Sequence, residues 1–92
     1  MMRNAAIGAG SIEELRRADG SLMARGRFVE GRQNGYWEWF RGDGSVKRTG
    51  YFHSGKPISV WTEFDANGRV LRNAPADAFA DLTHYIIDAP HA

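Results

Sequence analysis

Gly26-Arg-Phe28-Val-Glu-Gly31-Arg-Gln-Asn-Gly35-Tyr-Trp37-Glu-Trp-Phe40 returns 24 positions later as Gly50-Tyr-Phe52-His-Ser-Gly55-Lys-Pro-Ile-Ser59-Val-Trp61-Thr-Glu-Phe64. The register extends outward in both directions. Gly20, Gly44 and Gly68 coincide, each preceded by Asp19, Asp43 or Asn67 and followed two positions on by Leu22, Val46 and Val70. A period of this length marks a repeat architecture in which each unit contacts only its neighbours. Such chains present surfaces more readily than they build enclosed pockets.

Asp-Gly and Asn-Gly between alternating apolar and polar residues are a strong hairpin signal, and they predict two-residue type I′ turns at each unit start. A second turn cluster falls midway in each unit, at Glu30–Gly35 and His53–Pro57. Each unit therefore reads as two strands and two turns, with strands over 12–17, 21–29, 36–41, 45–52, 59–64 and 69–73. Spacing of about twelve residues leaves no room for crossover helices, so the strands form an antiparallel meander.

Counting outward from the Asp-Gly pairs places Trp39 opposite Arg48, Glu38 opposite Thr49 and Trp37 opposite Gly50. The same count sets Glu63 against Arg72, Glu14 against Arg25 and Glu13 against Gly26. A ring lying across a strand glycine covers the backbone that the glycine exposes. Glu13 stands where Trp37 and Trp61 recur, so residues 12–17 read as a polar strand capping the sheet edge. Alternation assigns Leu22, Phe28, Trp37, Trp39, Val46, Phe52, Trp61 and Val70 to one face. It assigns Met23, Val29, Tyr36, Phe40, Tyr51, Phe64 and Leu71 to the other, with Arg25, Arg27, Glu38, Lys47 and Thr49. A sheet with apolar side chains on both faces needs a cover on each.

After Asn73 the pattern changes. Phe79, Leu82 and Ile86 at three- and four-residue spacing predict an α-helix over 76–87, with Asp77 and Asp81 in its first turns and Asp88-Ala89-Pro90 beyond it. The chain then divides into a capping segment (1–17), repeats (18–72) and a docked helix (76–87) within one domain, 1–92.

The quoted unit, G-x-aromatic-x-x-G-x-x-x-G-x-W-x-x-aromatic, resembles the repeat of MORN proteins, and most nearly the variant of YwqK-type bacterial antitoxins. Residues 18–72 carry it, with Ser59 standing where the pattern has glycine. The resemblance implies a mainly β, single-layer antiparallel meander of hairpin repeats. It also implies a role as a protein-binding scaffold, a membrane-associated module or a neutralising partner of a toxin.

Bulk composition narrows the chemistry. Ninety-two residues with no cysteine form one thin core without disulfides or Cys-based zinc sites. No apolar run approaches the roughly 20 residues that span a bilayer. The start of the chain, Met1–Gly10, is too short and glycine-rich for a leader, which predicts a cytoplasmic protein. Residues 1–72 hold all 12 Lys and Arg, against 8 acids, and the remainder is acidic. A body at +4 falls short of a dedicated nucleic-acid domain. His53, His84 and His91 show no metal-ligand spacing, and the serines lack a nucleophile elbow. We therefore expect no enzyme, no metal and no cofactor.

What remains is binding. Trp, Tyr and Arg dominate interface energetics, which nominates Trp39, Arg48, Tyr36, Arg25, Arg27 and Tyr51 as partner-binding residues. Trp39 leads because its repeat equivalent is Glu63, so the fold does not require a ring there. The expected function is a cytoplasmic module of antitoxin or immunity type that blocks a partner protein sterically. The alternative is a peripheral phospholipid or polyanion binder. Surplus apolar area on the second face further predicts a homodimer.

Overall fold

The computed structural model describes residues 11–88. Met1–Gly10, most of the expected capping segment, and the chain end with His91 lie outside the described residues. Six strands follow in order: β1 (Ile12–Arg16), β2 (Leu22–Val29), β3 (Arg32–Phe40), β4 (Val46–His53), β5 (Lys56–Phe64) and β6 (Val70–Pro75). They form one open sheet in which every neighbour in sequence is a neighbour in space, all antiparallel. The fold is thus mainly β, a single-layer meander.

All six cross-strand pairs counted from the sequence occur: Trp39 with Arg48, Glu38 with Thr49, Trp37 with Gly50, Glu63 with Arg72, Glu14 with Arg25, and Glu13 with Gly26. The route to them differs. Gly44 lies at φ 91°, while Asp43 keeps a negative φ, so the Asp-Gly turn is not type I′. Gly44 N–H donates to the Arg41 carbonyl at 2.9 Å and Arg41 N–H to Ser45 at 2.8 Å, which closes a three-residue loop. One bulge then follows, at Met23, Lys47 and Leu71 in the three units, and restores the counted register. The bulge carries a correction for the faces. Leu22, Val46 and Val70 pair with Arg16, Phe40 and Phe64 and so belong to the second face. Met23 and Lys47 turn instead toward the first, where Met23 packs on the core and Lys47 reaches the Tyr85 ring.

The type I′ turns sit midway in each unit. Glu30 (φ 52°) with Gly31 and Ser54 (φ 50°) with Gly55 both hold two consecutive positive φ values. A two-residue loop lets β3 and β5 begin several residues earlier than expected, at Arg32 and Lys56. The surplus residues are taken up in mid-strand, where Gly35 (φ 79°) and Ser59 (φ 61°) lie within irregular pairings.

The main core cluster occupies one face, and Phe40 is buried on the other beneath Arg25. Ala24, Phe28, Trp37, Trp39, Phe52 and Trp61 are buried beneath Phe79, Leu82 and Tyr85. The segment supplying that cover is not the expected α-helix. It consists of two 3-10 turns, Ala76–Ala78 and Leu82–Tyr85, with Phe79 extended between them. The second 3-10 turn puts Leu82 and Tyr85, three apart, on one side, where they seat on the sheet beside the extended Phe79 and leave Ile86 exposed. External partners replace the missing helical bonds. Buried Gln33 donates from Nε2 to the Tyr85 carbonyl at 2.9 Å and accepts the Ile87 N–H at 2.7 Å. Arg48 donates to Asp81 at 3.0 Å, and Arg72 to the Ala78 carbonyl. Asp88 adds an antiparallel bridge to Arg32.

Candidate partner-binding face

The covering segment divides the six nominated residues between the two faces. Trp39 and Arg48 are 5% and 4% exposed and belong to the core. The Trp39 ring stacks on Trp61 at 5.4 Å and meets Tyr85 edge-on at 4.9 Å. Arg48 lies between Tyr85 (4.7 Å) and Phe79 (5.1 Å) and pairs with Asp81 and Glu63. Neither side chain offers a surface to a protein partner while the C-terminal segment is docked. Trp39 and Arg48 stand opposite each other as counted, and the guanidinium lies over the Tyr85 and Phe79 rings that the cover supplies.

Tyr36, Tyr51, Arg25 and Arg27 lie on the open face. Tyr36 and Tyr51 stand opposite each other on β3 and β4, with ring centres 5.5 Å apart, and are 46% and 42% exposed. Glu38, two residues along β3 on the same face, organises the polar groups. It accepts from Arg25 Nη2 at 2.8 Å and from the Tyr36 hydroxyl at 3.2 Å. Burial, and then the Glu38 charge, push the Tyr36 hydroxyl above its ordinary pKa, so it remains a neutral donor. Glu38 likewise holds Arg25 firmly charged, and Glu14 adds to it at 3.7 Å. The guanidinium also lies 5.4 Å over the Phe40 ring. Arg27 continues the row, with its Nε buried and without a hydrogen-bond partner among the described residues.

Exposed apolar residues extend this face in both directions. Ile12 pairs with Arg27, Ile58 pairs with Tyr51, and Val60 pairs with Pro75 on β6. A shallow depression of about 380 Å3 runs along Ile58, Val60 and Pro75. The face is thus a continuous floor of two tyrosines and aliphatic side chains with a tethered Arg–Glu pair at one end. Among the described residues, no group of three or more His, Asp or Glu comes together in metal-binding geometry, and no helix is long and apolar enough to cross a membrane.

Sequence reasoning passed over Gln33, the buried amide that holds the covering segment. Its repeat equivalent is Pro57, and that break in the repeat was the available signal. No known protein family, curated protein or solved structure matches this chain.

Proposed function

We propose that this chain is a protein-binding module that neutralises a partner by steric contact, in the manner of the antitoxin and immunity proteins its repeat resembles. The observation that carries the reading is the asymmetry of the sheet. One face is closed by the chain's own C-terminal segment, and the other leaves the Tyr36–Tyr51 pair, Ile58 and Val60 facing solvent. Amphipathic rings on rigid strands desolvate at low entropic cost, which suits a protein interface. The phospholipid or polyanion alternative draws less support, because two of the cations beside this face are already paired while Arg27 makes no ion pair among the described residues. Arg25 lies between Glu38 and Glu14, and Arg16 is bound to Glu14.

The test is capture from native lysate at low and high salt, with a Tyr36→Ala/Tyr51→Ala double variant alongside the parent. A desolvated aromatic interface keeps its protein partner at high salt and loses it in the double variant. Capture of lipid or nucleic acid alone, abolished by salt and indifferent to the tyrosines, overturns the proposal.

A further inference from the structure

The covered face holds a second feature that steric binding does not use. Between the ends of β3 and β4 and the Leu82–Tyr85 turn lies a cleft of about 320 Å3. Trp39 and Tyr85 give it aromatic walls, and Arg17, Lys47 and His84 supply its polar groups. Among the described residues, no carboxylate lines it. The Arg17 guanidinium is immobilised by the Leu22 and Phe40 carbonyls and the Ser21 hydroxyl, so its charge is fixed and meets no acid there. Lys47 sits at the bulge with its ammonium 5.9 Å from the centre of the Tyr85 ring, and it makes no ion pair among the described residues.

The repeat supplies an independent argument. At the bulge position the other units carry Met23 and Leu71, and at the Trp39 position the next unit carries Glu63. The scaffold therefore asks for neither a lysine nor an indole at these places. Both departures line the same cleft.

We propose that this cleft binds a small organic anion, a flat aromatic ring bearing a carboxylate. The ring would lie against Trp39 and Tyr85, and the carboxylate would accept charge-assisted hydrogen bonds from the Lys47 ammonium and a ring N–H of His84. The volume falls at the small end of ligand sites, which run from about 300 Å3 upward. The site lies on the face opposite the proposed protein interface, and neither proposal depends on the other.

The experiment is calorimetric titration of the full chain with phenylacetate, with its neutral isostere phenylacetamide and with inorganic phosphate. The same titrations are repeated on Lys47→Met, which installs the residue the first unit already carries at this position. Phenylacetate should bind saturably at one site. Phenylacetamide and phosphate should each bind about tenfold or more weakly, and Lys47→Met should lose a similar factor for phenylacetate, the scale of one hydrogen bond to a charged group. Nuclear magnetic resonance should show the Trp39 indole N–H signal moving while Tyr36 and Tyr51 stay still. Absence of saturable binding, equal affinity for the amide or for phosphate, or a Lys47→Met variant that binds like the parent overturns the proposal. The comparison of acid with amide requires no variant, so it decides the matter even if Lys47→Met fails to fold.

Discussion

Two glycine–tryptophan contacts recur 24 residues apart and set the tolerance of the sheet to substitution. The Trp37 ring lies over Gly26 and the Trp61 ring over Gly50, so a Cβ built on either glycine would stand 2.1 Å from the indole. Trp37 is the register partner of Gly50, yet the ring that covers Gly50 belongs to Trp61, because each indole leans toward the strand before its own. Gly50→Ala must displace a fully buried indole, and it should cost about 1–3 kcal/mol in chemical denaturation, the usual scale of overpacking. Gly42→Ala is the control: nothing among the described residues lies within 4 Å of its Cβ and its φ is not positive, so its midpoint should stay within about 0.5 kcal/mol of the parent. Ser59 makes the opposite case. It holds φ 61° where the first unit has Gly35, and a non-glycine residue pays for the left-handed region. Ser59→Gly should stabilise by about 0.5–1 kcal/mol, read as a rise in melting temperature.

At the scale of elements, the turns and the C-terminal cover are organised differently. The Asp-Gly turns are internally complete. The Asp43 carboxylate accepts the Ser45 N–H at 2.9 Å and hydroxyl at 2.7 Å, Asp19 does the same with Ser21, and these bonds draw both carboxyls below the ordinary aspartate pKa. Arg17 and Arg41 then tie successive units, each reaching the strand carbonyl of a phenylalanine 23 positions on, Phe40 or Phe64. The cover, by contrast, depends on bonds to the sheet. The hydrogen bond from Arg48 holds the Asp81 carboxyl below its ordinary pKa. A depressed carboxyl contributes stability that is present above the unfolded value, about pH 3.9, and is lost as pH falls through the lower folded value. Acidification below about pH 4 should therefore loosen the 82–87 segment, seen as faster amide exchange there than in the strands. Asp81→Asn should remove that pH dependence from the segment while the Asp19 and Asp43 turns keep theirs.

At the scale of the molecule, a one-layer sheet has no second sheet to pack against, so the dry side exists only where the chain folds back over it. Phe79, Leu82 and Tyr85 close over Trp39, Phe52 and Trp61. Burying three such side chains contributes about 5–8 kcal/mol before entropy, comparable to the whole stability of a small domain. Removing residues 76–92 should therefore unfold or aggregate the protein. A truncated chain that keeps its melting temperature would show that the sheet supports itself. The cover also decides which residues can meet a partner: it takes Trp39 and Arg48 and leaves Tyr36 and Tyr51.

The strand count, the antiparallel order and six cross-strand pairs were legible in the sequence because a repeat states its own period. A lost or gained residue would have thrown the units out of step. The three-residue loops and the bulges after them were not legible, since Asp-Gly serves either loop and the two shifts cancel in the count. The C-terminal cover was misread for a related reason. Apolar residues three apart fit an α-helix and 3-10 turns alike, and the choice fell to distant groups, Gln33, Arg48 and Arg72, which hold the segment from the sheet. Local pattern thus determined the meander, whereas which of its faces is dry, and so which aromatic residues are free to bind, was decided only by tertiary contacts spanning more than thirty positions of the chain.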